Sequence, residues 1–198
     1  KEYLELFSNK LFLAFVIASA CNVGSFLSMI GFFPYEYARL GLSSGEIGFW
    51  FALTPLGYML GNFATSWFTQ QKGIETMTLI GSVITLFATG ILFSMVLLGH
   101  YNLLVIGLIG MLLGFSAGLV IPNATMGAIA SAGRLAGSAS GITGAVQMGF
   151  GVIGGSIIVA VGGYEVFFHG LAILVILAAI SVVASVIARS SLLSMKPA

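Results

Sequence analysis

Charged residues are rare in this chain and leave long apolar stretches between them. The uncharged spans cover 11–35, 47–71, 76–99, 101–133, 135–164 and 166–188. A hydrocarbon core about 30 Å thick takes roughly 20 helical residues to cross, and every span is that long. None alternates apolar and polar residues as a membrane β-strand of about 10 residues does. The pattern predicts an all-α integral membrane protein of six transmembrane helices, each satisfying its own backbone in lipid.

Local signals set the approximate ends of these helices. Pro34 marks the end of the first, and Ser43 with Glu46 three residues later forms a capping box before the second. The polar step 100–102 predicts a hairpin between the third and fourth. The predicted bounds are 10–34, 44–68, 74–98, 103–129, 135–161 and 165–188, in a single domain over 1–198.

Composition argues against several other classes of protein. Hydrophobic residues make up 59% of the 198 and charged residues 7%, whereas a soluble domain carries about 25% charged residues. A net charge of +1 provides no basic surface for nucleic acid. The single cysteine, Cys21, cannot form an intrachain disulfide, and two separated histidines add no recognisable metal-ligand set. We therefore expect a lipid-embedded protein without metal or cofactor.

Lysine and arginine favour the cytoplasmic side of a membrane protein, and here they divide unevenly. Only Arg39 falls on one predicted side. The other side carries Lys1, Lys10, Lys72, Arg134, Arg189 and Lys196. The distribution predicts a multi-pass protein with both termini in the cytoplasm.

Buried amides and helix-interior prolines occur in four of the six predicted helices. They are Asn22 in the first, Pro55 and Asn62 in the second, Pro122 and Asn123 in the fourth, and Gln147 in the fifth. An amide facing lipid would leave polar groups unpaired, so these four helices should surround a protein-lined interior. The third and sixth should lie outside, against lipid. This recurrence across each set of three helices predicts a 3+3 inverted repeat.

Glycines recur at four-residue spacing on several helices. The rows are Gly57 and Gly61, then Gly110, Gly114 and Gly118, then Gly137 and Gly141, and finally Gly151 and Gly155. Such rows let helix backbones approach closely in lipid, so we interpret most of them as packing surfaces. The alternative is that they let helices slide during transport.

Several motifs occur in order along most of the chain. They are Phe32-Phe-Pro, Leu40-Gly-Leu-Ser-Ser, Phe51-Ala-Leu, Pro122-Asn-Ala, Arg134-Leu-Ala-Gly-Ser-Ala-Ser-Gly and Gln147-Met-Gly-Phe-Gly-Val-Ile-Gly-Gly. Together they resemble the seventh, eighth, tenth and eleventh helices of Bcr/CflA-type drug:proton antiporters of the major facilitator superfamily. One departure is Thr65, which stands where the family's inner loop carries an acid.

The resemblance implies half of a major facilitator fold and a function in secondary active transport. It implies export of small amphipathic molecules or drugs in exchange for protons across the bacterial inner membrane. Because the family has twelve helices and this chain starts at Lys1 with six, we expect a fragment or a separated half. Its partner would be an N-terminal six-helix half, or else a second copy of itself. The alternative from a different class is a non-transporting membrane scaffold or assembly subunit.

A transporter's substrate site lies near mid-membrane between its halves. The predicted site residues are amides, hydroxyls and flexible thioethers, which suit substrates of varied shape. They are Asn22, Ser25, Met29, Thr54, Asn123, Met126 and Gln147. The alternative for the amides is a hydrogen bond between helices without any ligand, and for Met29, Met126 and Thr54 it is ordinary packing.

Proton coupling needs a buried carboxylate that is exposed alternately to both sides. The chain has no aspartate, and every glutamate falls at or beyond a predicted helix end. Glu36 with Arg39 is the nearest candidate for an outer gate contact, although an exposed loop pair is the preferred interpretation. We therefore expect the coupling acid to lie in the other half of the transporter.

An intramembrane serine protease is a remote alternative. Gly114-Phe-Ser-Ala-Gly has the spacing of a serine nucleophile motif, and His169 begins the sixth helix. Ser116 and His169 would differ in depth by roughly 13 Å at 1.5 Å per residue, which is too far for a hydrogen bond. We expect that the chain is not an enzyme.

Overall fold

The chain is helical throughout the part that its structure describes. A computed structural model describes residues 2–163 and 166–195, with side chains over 5–163 and 166–194. The helices are α1 Glu2–Ser8, α2 Lys10–Arg39, α3 Ser44–Phe51, α4 Leu53–Lys72, α5 Ile74–Leu97, α6 Leu103–Ser131, α7 Ala136–Ala160 and α8 Phe167–Met195, with a 3-10 turn at Gly133–Leu135. The predicted connection around residue 164 and the start of the sixth helix at 165 lie outside the described residues.

Five helices of the described chain are long and apolar enough to cross a membrane. They are α2, α5, α6, α7 together with its preceding 3-10 turn, and α8. This confirms the prediction of an all-α membrane architecture. The predicted second helix, 44–68, is not among these five. It is divided into two helices, α3 and α4.

Pro55 explains the division between α3 and α4. Proline has no N–H, so the carbonyl of Phe51 loses its helical donor at this point. The backbone of Ala52 keeps helical dihedral angles, with φ −61° and ψ −19°, and its carbonyl accepts the N–H of Leu56 at 3.2 Å. The interruption is thus one missing hydrogen bond within a nearly continuous helical segment.

α2 runs five residues beyond its predicted end. Pro34 lies inside it, and the helix continues to Arg39. The reason is tertiary packing, since Phe33 and Tyr37 are each 1% exposed and belong to a core cluster of aromatic and aliphatic side chains. Burial of this last turn outweighs the hydrogen bond that Pro34 removes.

α2 and α6 form the centre of the bundle. α2 packs against α6, α7 and α8, while α6 packs against α2, α4 and α5. α4 therefore lies mainly against α6, and α7 mainly against α2. α5 and α8 pack against each other behind the central pair.

The helices α5 and α8, predicted as the third and sixth, each have one buried face that carries hydroxyl groups and one apolar exposed face. The Ser82 hydroxyl lies 2.9 Å from the hydroxyls of both Ser181 and Ser185. Ser181 also donates to the carbonyl of Ala18 on α2 at 2.9 Å. The opposite faces expose large apolar side chains, among them Val83, Phe87, Ile176 and Val183.

Basic residues gather at one end of the bundle, called here the basic end. The side chain of Asn9 donates to the carbonyl of Ser131 at 2.9 Å, and Arg134 forms an ion pair with Glu5. A pocket at this end joins the start of α2 and α5 to the end of α6 and α8. Lys10, Lys72, Arg134 and Arg189 therefore lie at the same end, with Arg39 at the other, whereas Lys1 and Lys196 lie outside the described residues.

A row of glycines brings α4 and α6 into backbone contact. A Cβ on Gly57 would lie 2.0 Å from the Met111 carbonyl oxygen, and one on Gly61 would lie 2.1 Å from that of Phe115. On the facing helix, a Cβ on Gly114 would lie 2.1 Å from the Thr54 carbonyl oxygen. Two of the predicted glycine rows therefore form one packing seam.

The glycine row on α7 is different, because much of it meets nothing in the chain. Cβ atoms on Gly137, Gly141 and Gly155 would find no atom within 4 Å, whereas one on Gly151 would lie 2.5 Å from Leu27. α7 thus packs on α2 along one face and leaves a face of small residues open.

We predict that Gly61→Ala destabilises the bundle by about 1–3 kcal/mol, because the added methyl collides with backbone that cannot move aside. Gly155→Ala is the matched control, since its methyl enters open space and the helix gains a better helix former. Thermal unfolding in detergent micelles measures both. Equal unfolding temperatures for the two variants would contradict the close backbone contact between α4 and α6 at Gly61.

Candidate functional site

A groove of about 510 Å³ lies over α6, between α4 and α7, and is called here the front groove. Its lining is Tyr58, Ile121, Pro122, Thr125, Met126, Ile129 and Gln147. No residue of α5 or α8 contributes to it. Apolar walls with a few convergent polar groups are typical of small-molecule sites.

Gln147 and Thr125 supply the polar groups of the front groove. The Gln147 Nε2 donates to the Thr125 Oγ1 at 2.9 Å, and the Gln147 side chain is 8% exposed. Met126 extends beside them with 62% of its surface exposed. The bond fixes the amide's orientation, while the thioether remains adjustable. Of the predicted site residues, Gln147 and Met126 are the two that line this groove.

Pro122 lines the groove and removes one hydrogen bond from the backbone of α6. Because it lacks an N–H, the carbonyl of Gly118 four residues earlier has no helical donor. The Thr65 hydroxyl fills that position from α4 at 2.9 Å. The Thr65 hydroxyl thus takes the place of the missing donor in α6, and the helix continues through Pro122 to Ser131.

Asn123 lies next to Pro122 but points to α4 instead of into the groove. Its Nδ2 donates to the Leu119 carbonyl at 2.7 Å and to the Thr65 Oγ1 at 3.2 Å. Its Oδ1 accepts the Thr69 hydroxyl at 2.9 Å. Both ends of the amide are used between helices, which matches the interhelical interpretation raised for it from sequence.

The predicted site residues on α2 and on the α4 seam are buried away from the front groove. Asn22 and Ser25 are 2% and 3% exposed and line a small, mostly enclosed cavity instead. Met29 is fully buried in a core cluster, and Thr54 is 2% exposed against Gly110 of the seam. The seven residues therefore occupy several separate environments.

The Asn22 amide takes part in a hydrogen-bonded chain across three helices. Its Nδ2 donates to the Thr85 Oγ1 at 2.9 Å, and the Thr85 hydroxyl lies 2.9 Å from the Ser116 Oγ. Ser116 donates onward to the Leu113 carbonyl at 2.8 Å. Sequence reasoning missed Thr85 and Ser116 as partners because one hydroxyl among many in an apolar span carries no distinguishing pattern.

Glu36 is buried within α2 and pairs there with Arg39, so only the exposed loop position predicted for this pair is wrong. Its side chain is 4% exposed, and its Oε2 lies 3.4 Å from the Arg39 Nη1. Its Oε1 accepts the Tyr101 hydroxyl at 2.7 Å. This hydrogen bond, together with burial and the negative charge of Glu36, raises the pKa of Tyr101 to about 12. The prediction failed because it ended α2 at Pro34, which placed Glu36 in a loop.

Two further grooves differ in character from the front groove. The larger, about 560 Å³, lies along α5 and is almost wholly apolar, so it suits contact with lipid chains more than recognition of a ligand. A second, about 400 Å³, contains Glu36, Arg39 and Tyr101 beside Phe167 and Phe168. It lies behind the central helices at the end opposite the basic end.

Ser116 and His169, the two residues of the protease alternative, have separate partners. Ser116 is fully buried in the hydrogen-bonded chain already described. The Nδ1 of His169 lies 2.8 Å from the Val161 carbonyl oxygen. The expectation that the chain is not an enzyme stays a prediction.

Comparison with protein-family models, curated proteins and solved structures finds no match to this chain. The resemblance to major facilitator transporters therefore stays a prediction that rests on its motifs.

We predict that Tyr101→Phe lowers the free energy of unfolding by about 1–2 kcal/mol, because it removes a hydrogen bond to a charged and buried acceptor. The contribution is fully present below pH 10 and is lost as the pH rises towards 12, because the pKa of Tyr101 is raised in the folded state. Chemical unfolding in micelles at pH 7–9 measures it. Tyr58→Phe is the control, and an equal effect from both would contradict the assignment.

Proposed function

We propose that the chain is the C-terminal half of a secondary active transporter that exports small amphipathic molecules in exchange for protons. The observation that carries this proposal is the front groove, with Gln147, Thr125 and Met126 beside Pro122 of the continuous helix α6. Substrate sites of such transporters lie near the bilayer midplane, at the interface between the repeats. The direction, the type of substrate and the coupling ion come from the resemblance alone.

A 3+3 inverted repeat is part of this proposal. In such a repeat α2, α3–α4 and α5 correspond to α6, α7 and α8. If each helix is replaced by its counterpart, the contact of α2 with α7 becomes that of α6 with α4, and the contact of α2 with α8 becomes that of α6 with α5; all four contacts are present. The contacts α2–α6 and α5–α8 each join a helix to its own counterpart, so the replacement leaves them unchanged. This symmetry of the helix contacts supports the repeat.

The proposed sixth crossing is the segment formed by α3 and α4. Ser44 to Lys72 is about 43 Å of helix at 1.5 Å per residue, which is longer than an apolar core of about 30 Å. Polar residues that pack against α6 contribute to the low hydropathy of α4, since Thr65 and Thr69 direct their hydroxyls to that helix. The basic end would face the cytoplasm, which puts both termini there.

The coupling carboxylate is proposed to lie in the partner half. Glu36 is a buried acid, but Tyr101 and Arg39 already pair both of its oxygens. Its pocket is lined from α2, α5 and α8 and the loop before α6, and shares no residue with the front groove. We therefore assign Glu36 a structural role at this end of the bundle.

Cysteine accessibility tests the membrane topology. In a Cys21→Ser background, we expect Gly45→Cys and Leu98→Cys to react with an impermeant maleimide from outside intact cells. Gln71→Cys should react in inside-out vesicles, because α3 and α4 carry the chain across the bilayer. Labelling of positions 45 and 71 from the same side would contradict the sixth crossing, and reversed sides for all three would contradict the orientation.

Transport assays test the function. Vesicles with the chain alone should not move a cationic dye, whereas vesicles with a co-expressed N-terminal six-helix half of a Bcr/CflA-type antiporter should. Gln147→Leu should abolish most of that transport, because it removes the polar group of the front groove. Ser94→Ala on the lipid-facing side of α5 is the control and should leave transport unchanged. Transport by the chain alone would overturn the half-transporter proposal, and silence in both would favour the scaffold.

Pairing of the halves is tested on the open face of α7. Gly141→Leu should leave the bundle folded, since its side chain enters open space, but should reduce co-purification of the partner half several-fold. Gly90→Leu on α5 is the control, because a Cβ there also meets nothing within 4 Å. Equal co-purification of the two variants would place the interface elsewhere.

A further inference from the structure

A small, mostly enclosed cavity lies where α2, α5 and α6 meet. It is lined by Asn22, Ser25, Phe26, Thr85 and Leu113, and its volume is about 10 Å³. It is separate from the front groove and shares no lining residue with it. Three of its five lining side chains carry polar atoms, although the surrounding helices are apolar.

The polar atoms at this cavity are not all paired within the described chain. Asn22 is 2% exposed and uses its Nδ2 on Thr85, but its Oδ1 has no protein donor. Ser25 is 3% exposed, and its hydroxyl has no protein partner either. A serine hydroxyl can rotate to bond its own helix, but the carbonyl oxygen of an amide can only accept. A buried acceptor without a donor destabilises the folded protein, so we expect a donor to occupy this site.

The size and chemistry of the cavity restrict its occupant. A cavity of roughly 10–15 Å³ is large enough to hold one water molecule, and a buried water needs two to four polar partners. Asn22 Oδ1, Ser25 Oγ and a free lone pair of Thr85 Oγ1 provide three. A monovalent cation would find the same few oxygens but no carboxylate, and burying an unpaired charge in lipid is far more costly.

We propose that this cavity binds a single water molecule that bridges Asn22 and Ser25. The water donates to the Asn22 Oδ1 and to the Thr85 Oγ1, and it accepts the Ser25 hydroxyl. It thereby completes the hydrogen-bonded chain from Asn22 through Thr85 to Ser116, which links α2 to α5 and α6. The site does not depend on the transport function proposed above.

X-ray radiolytic footprinting of the full chain in micelles tests this site. Radiolysis of an ordered internal water produces hydroxyl radicals next to it, so Leu113 should be oxidised several-fold faster than matched buried leucines. The internal controls are Leu92 and Leu174, which lie outside the cavity. Both are 0% exposed, and Leu113 is 5% exposed. Oxidation of Leu113 at the rate of these controls would overturn the proposal.

Two variants distinguish a bound water from bulk solvent as the source of fast labelling. Ser25→Val fills the cavity and removes a partner, so the Leu113 rate should fall to that of Leu92. Ser25→Ala leaves room for the water and keeps two partners, so most of the fast labelling should persist even if the valine variant misfolds. Fast labelling that survives in a folded Ser25→Val protein would assign it to bulk solvent and overturn the site. Loss of the fast labelling in a folded Ser25→Ala protein would likewise contradict a bridging water, because the space would remain.

Discussion

The need to pair every buried polar group inside the chain governs how these helices are arranged. Lipid supplies no donors or acceptors, so a polar side chain in an apolar helix must find its partner on a neighbour. Thr65 meets the carbonyl that Pro122 leaves free, and Ser181 meets Ala18. Such contacts add little energy each, about 0.6–2 kcal/mol, but they select one rotation of each helix against the next. Dispersion contacts along the glycine seam then hold that arrangement.

Much of the helical architecture could be predicted from the spacing of charges and prolines. Five of the predicted spans form helices long and apolar enough to cross a membrane, because long uncharged stretches have few alternatives in a bilayer. The differences have two causes, one tertiary and one local. Burial of Tyr37 carries α2 past Pro34, while Pro55 removes one hydrogen bond and divides the second helix without turning the chain.

The site was harder to predict than the helices. An amide in an apolar span signals a buried polar contact, but the side on which it points depends on a helix rotation that no local pattern encodes. Asn123 and Gln147 looked alike in sequence. Asn123, however, forms hydrogen bonds between α4 and α6, whereas Gln147 lies in the front groove. Their partners, Thr65, Thr69 and Thr125, are ordinary hydroxyls that become recognisable only once the neighbouring helix is in place.

The bond from Ser181 to Ala18 has a consequence for biosynthesis. The two residues are 163 positions apart, so the contact forms only after α8 has been made. Asn22 likewise waits for Thr85, 63 residues later. During translation, α2 therefore enters the bilayer with an amide at Asn22 that has no partner within its own helix. An insertion machinery or chaperone that shields this amide until α5 emerges would prevent early and incorrect pairing of α2.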